Sequence, residues 1–138
     1  MSEEEIYRPG LEGVIAGETA ISTITGGLRY RGYAIEDLAE NATFEEVAWL
    51  VLRGEAPSSS ELSAFKDRLN AAMSLPDPLV ELLGKLPPGT NMMDVMRTGC
   101  SVLAHWDADE ADNSHEANLR KAERLLAQLP LVMAARYR

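Results

Sequence analysis

Met92-Met93-Asp94-Val95-Met96-Arg97-Thr98-Gly99-Cys100-Ser101-Val102-Leu103-Ala104-His105-Trp106 is the stretch on which the fold turns. Its apolar residues Met92, Met93, Val95, Met96, Cys100, Val102, Leu103 and Ala104 occupy nearly all sides of a helix, and such a helix has to be covered on more than one face. The next segment repeats the pattern. Ser114 can cap a sixth helix that is amphipathic through Leu119, Ala122, Leu125 and Leu126 and then almost uniformly apolar to Ala135, so it needs cover as well. Pro130 lies inside that run, removes a backbone donor and clashes with the preceding turn, which predicts a kink. The last residues, Ala134-Ala135-Arg136-Tyr137-Arg138, contain no glycine, proline or polar tail, and a longer parent chain is expected to continue the helix.

Upstream the elements are also helical. Pro87-Pro88-Gly89 closes a short fourth helix between Pro78 and Leu86. Ser58 with Glu61 forms a capping box ahead of Leu62, Phe65, Leu69 and Met73, the stripe of a helix that buries one face. Thr43 with Glu46 forms another ahead of Val47, Leu50 and Val51, and Gly54 marks its stop. Ile35, Leu38 and Ala39 begin the first helix. Before Tyr33 the β-branched residues Val14, Ile15, Thr19, Ile21, Thr23, Ile24 and Thr25, then Gly26-Gly27 and Leu28-Arg29-Tyr30-Arg31, predict a small hairpin over about 14–33. Residues 1–9 are charged and read as a flexible arm. Repeats and low-complexity segments are absent from the sequence.

With 138 residues, 46% of them hydrophobic, the chain can fill one compact core, and residues 10–138 are expected to form one globular unit. The 22 acidic against 13 basic residues give a net charge of −9, a field that repels nucleic acid and anionic membrane alike. One cysteine permits no internal disulfide, and Met1-Ser2-Glu3-Glu4-Glu5 is acidic where a signal peptide would be basic, so a cytoplasmic protein is expected. The most apolar run, Leu125 to Ala135, is too short to span a bilayer.

No motif in the chain assembles a reaction. Gly10, Gly13 and Gly17 lack the Lys-Ser/Thr pair that completes a phosphate-binding loop, since Glu18-Thr19 follows. Asp107, Asp109, Glu110 and Asp112 read as a solvated acidic loop, because the glycine and glutamate of a calcium-binding loop are replaced by Asp112 and Asn118. His105 and His115 with Cys100 cannot make a standard zinc site, so no metal site is expected. Cys100 has no basic neighbour and reads as an inert thiol. Arg31, in Tyr30-Arg31-Gly32-Tyr33, either grips a carboxylate or phosphate or ties the hairpin to a helix.

A resemblance carries the chain further. Gly10-Leu-Glu-Gly13-Val-Ile-Ala-Gly-Glu-Thr-Ala-Ile-Ser22 and Leu28-Arg-Tyr-Arg-Gly-Tyr-Ala-Ile-Glu-Asp-Leu38 resemble the opening of citrate synthases and their 2-methylcitrate synthase relatives. Phe44-Glu-Glu-Val-Ala-Trp-Leu50, Gly54-Glu-Ala-Pro57, Leu75-Pro76, Met93-Asp-Val-Met-Arg-Thr98 and Ala117-Asn-Leu-Arg-Lys-Ala122 follow in the family's order, with Pro130 and Ala134-Ala135-Arg-Tyr-Arg138. The chain departs from the pattern at Asn91-Met92-Met93-Asp94, where the family usually reads His-Pro-Met-Asp, and at His115, where relatives often carry proline.

The resemblance implies a mainly α, citrate-synthase-like large-domain fragment with a small amino-terminal β-hairpin. It also implies a homodimer built on a sandwich of antiparallel helices, two of which correspond to 92–106 and 114–138. The residues expected at that interface are Met92, Met96, Gly99, Leu103, Leu125, Leu129 and Met133. Family members condense acetyl-CoA with oxaloacetate, using an aspartate and histidines that belong to the later part of the family's chain. None of those matches a residue here, so no catalytic residue is expected in this chain and its activity alone is expected to be nil. No cofactor is implied beyond the two substrates. Arg8 lies near where some relatives approach the CoA phosphates and is the one candidate substrate contact. The expected partners are a second copy or the remainder of a citrate synthase. A portion of a 2-methylcitrate synthase, acting on propionyl-CoA, and a non-catalytic dimerisation module are the alternatives.

Overall fold

The computed structural model describes residues 17–137; the expected arm, Arg8 and the first residues of the expected hairpin lie outside them. Three two-residue strands, β1 (Ser22–Thr23), β2 (Arg29–Tyr30) and β3 (Tyr33–Ala34), pair antiparallel in the order β1-β2-β3. Instead of one hairpin, therefore, the region holds two. The second was hidden because its turn is only Arg31-Gly32, both at positive φ (47° and 90°), which puts Tyr30 opposite Tyr33. Two central residues at positive φ match the right-handed twist of paired strands. The first turn uses Gly26 and Gly27, at φ 76° and 110°.

Six helices follow: α1 (Ile35–Asn41), α2 (Phe44–Arg53), α3 (Ser59–Ala72), α4 (Asp77–Lys85), α5 (Met92–Leu103) and α6 (His115–Tyr137). Local chemistry sets their starts. Both capping boxes close: the Glu46 backbone N–H donates to Thr43 Oγ1 and the Thr43 N–H to Glu46 Oε2, and Ser58 and Glu61 do the same. Asn91, standing where the family's histidine is expected, caps α5 by accepting the Met93 N–H at 2.8 Å, and Ser114 Oγ accepts the Ala117 N–H ahead of α6. Gly54 ends α2 in the left-handed region at φ 95°. The fifth helix stops at Leu103, three residues earlier than expected, and Ala104–Trp106 form a 3-10 turn. Helix α6 runs through Pro130 without a break.

The core is built around α6, which packs on α3, α4 and α5. Leu79 and Leu83 of α4, Val95 and Leu103 of α5, and Val132 of α6 form one buried cluster. Phe65 and Leu69 of α3 with Ala127 of α6 form a second, against which Trp49 packs edge-on to Phe65. Met73, expected on the α3 stripe, is instead 57% exposed at the helix end. Helix α5 is likewise covered on one face only. Val95, Gly99 and Leu103 are buried at i, i+4 and i+8, while Met93 is 74% exposed. Met92, Met96 and Val102 pack against the buried cluster and are half-buried among the described residues.

Candidate interaction surface

Any proton chemistry would fall to the ordered ionic groups. Glu123 of α6 is 4% exposed, and α2 and α3 each aim an arginine at it. Its Oε1 accepts from Arg53 Nη2 at 2.8 Å and from Arg68 Nη2 at 3.2 Å, and its Oε2 accepts from Arg68 Nε at 2.7 Å. Burial pushes this carboxyl up, but the hydrogen bonds from Arg68 and then Arg53 outweigh it and hold the pKa below the ordinary glutamate value. Glu123 is an ionised acceptor with both oxygens occupied, which suits a three-helix tie and not a base.

The acidic loop is partly neutralised. Arg124 donates to both Asp107 oxygens and to Asp109, and Arg120 donates to both Asp109 oxygens. These arginines hold the Asp109 carboxyl far below the usual range. Asp107 also lies low, because its bonds from Arg124 and from the Asp109 backbone outweigh the upward push of burial. Two of the four carboxylates expected to be solvated are thus engaged by α6, and their lone pairs are turned to guanidinium groups. Among the described residues no three His, Cys, Asp or Glu side chains are grouped to hold a metal. His105 and His115 are exposed, and Cys100 is a half-buried free thiol.

Arg31 resolves to the structural of its two alternatives. It donates through Nη2 to the Val51 carbonyl at 3.0 Å and through Nη1 to the Ala20 carbonyl at 3.3 Å. The sheet is thereby tied to the last turn of α2, where the Leu50 carbonyl accepts the Gly54 N–H and the Val51 carbonyl accepts from Arg31.

The residues expected at an interface between copies divide into two groups. Gly99 and Leu103 are buried between this chain's own α5, α4 and α6. A Cβ at Gly99 would overlap Val132 Cγ1 and lie 3.0 Å from Cγ2, so this glycine sets the spacing of α5 on α6. Met92, Met96 and Leu125 are half-buried against the same cluster, Leu129 is half-buried, and Met133 is 46% exposed. Beside them a depression of about 260 Å³ is lined by Cys100, Leu103, Ala104 and Leu125, with Lys121 and Glu110 at its edge.

A second surface was missed by sequence reasoning. Helices α2 and α6 both pack on α3, and between them lies a furrow of about 280 Å³ lined by Phe44, Val47, Ala48, Val51, Leu52, Ala122 and Leu126. Every lining residue is apolar, and Phe44 at its edge is 67% exposed. The signal was in the sequence, since Phe44, Val47, Ala48, Val51 and Leu52 recur at i, i+3, i+4, i+7 and i+8.

Among the described residues the fold is a helical unit in which Glu123, Asp107 and Asp109 are paired with arginines and apolar side chains such as Phe44, Met93 and Met133 stand exposed. A family model described as "Citrate synthase, C-terminal domain" matches residues 10–138. The 2-methylcitrate synthase of Shewanella oneidensis is 48% identical over 94% of this chain and 34% of its own length. The citrate/2-methylcitrate synthase of Bacillus subtilis is 41% identical over 100% of this chain and 38% of its own. The crystal structure of citrate synthase from Pyrobaculum aerophilum superposes with a TM-score of 0.84 at 31% identity, over 93% of this chain and 35% of that one. The chain belongs to the citrate synthase family, a family of transferases. It spans about a third of the length of the curated relatives it matches.

Proposed function

We propose that this chain is the amino-terminal, large-domain portion of a citrate synthase whose complete form condenses acetyl-CoA with oxaloacetate to give citrate and CoA in the tricarboxylic acid cycle. By itself it is inactive. It works in the cytoplasm and pairs with a second copy or with the remainder of the enzyme through 92–106 and 114–138. The observation that carries this proposal is that nearly the whole chain aligns with only 34–38% of its relatives. The matched family model names a C-terminal domain in its description; the amino-terminal placement rests on the order of the motifs from Gly10 to Arg138. It is also consistent with the state of Glu123, Asp107 and Asp109, which are held ionised by arginines and so are poor proton acceptors.

A second substrate reading has its own support. Met93-Asp-Val-Met-Arg-Thr-Gly99 resembles 2-methylcitrate synthases, and the Shewanella oneidensis relative bears that name, so propionyl-CoA is the alternative acyl donor. The test measures CoA release from acetyl-CoA or propionyl-CoA with oxaloacetate. The isolated chain is expected to give none, and turnover above background would refute its inactivity. The chain co-expressed with the rest of a family member is expected to turn over, and its preference between the two thioesters decides the substrate.

A further inference from the structure

We draw no further inference here: the strongest candidate, the depression between α5 and α6 that holds Cys100 with Leu103, Ala104 and Leu125, rests on a lone half-buried thiol among apolar side chains, and nothing in the structure shows what covers it.

Discussion

Replacing Gly99 with alanine tests whether α5 and α6 are spaced by a single missing methyl. In an ordinary helix interior this change stabilises by about 0.5–1 kcal/mol, since alanine loses less backbone freedom. Here the new Cβ overlaps Val132 Cγ1 and reaches within 3.0 Å of Cγ2 and 3.3 Å of Cβ. Val132 is fully buried among Leu79, Leu83, Val95 and Leu103, so its methyls can shift only against other core side chains. Overpacking of that kind costs about 1–3 kcal/mol, and an overlap with one methyl and a tight contact with the other place it toward the upper end. The net expectation for Gly99→Ala is a loss of about 1–2 kcal/mol. In a Val132→Ala background both offending methyls are gone, the added Cβ fills part of the cavity, and the same change should stabilise by up to about 1 kcal/mol. Urea titrations followed by helical circular dichroism, repeated at several protein concentrations, measure the four proteins of this cycle. The coupling should reach about 2–3 kcal/mol with a change of sign. An equal loss in both backgrounds would refute the close approach of the two helices.

Two further outcomes are expected. Glu123→Gln removes the charge that Arg53 and Arg68 share; a fully buried pair would lose about 3–5 kcal/mol, but side chains 27% and 45% exposed bring the expected loss to about 1–3 kcal/mol. Because the folded pKa of Glu123 is lowered, its contribution is present above the ordinary glutamate value and is lost as pH falls through that value toward the folded one. The stability difference between parent and variant should therefore shrink on acidification, and a difference independent of pH would count against the tie. Arg31→Ala removes the donors to the Val51 and Ala20 carbonyls, so hydrogen exchange should speed up at 29–34 and in the last turn of α2 while the α4–α6 core is unchanged. Arg31→Gly, which suits the positive φ, should keep the turn and still lose the tether.

What the sequence determined by itself was local. The starts of α2 and α3 follow from Thr43 with Glu46 and Ser58 with Glu61, because a capping box closes within four residues whatever lies beyond, and Gly54 ends α2 for the same kind of reason. The Gly10–Arg138 motifs identified the family that the comparisons place it in. The third strand escaped notice because two residues leave no periodicity to read.

Tertiary structure decided which face each helix uses. An all-round apolar pattern on α5 cannot say that Val95, Gly99 and Leu103 turn inward and Met93 outward, nor that Gly99 lies against Val132, 33 positions away. Arg53, Arg68 and Glu123 carry no shared motif, and their union depends on three helices converging at one point. The furrow arises in the same way, since α2 and α6 are held apart by their common contact with α3. Capping and turn chemistry act over a few residues and so are written in order along the chain, whereas burial depends on which surfaces meet after it has folded.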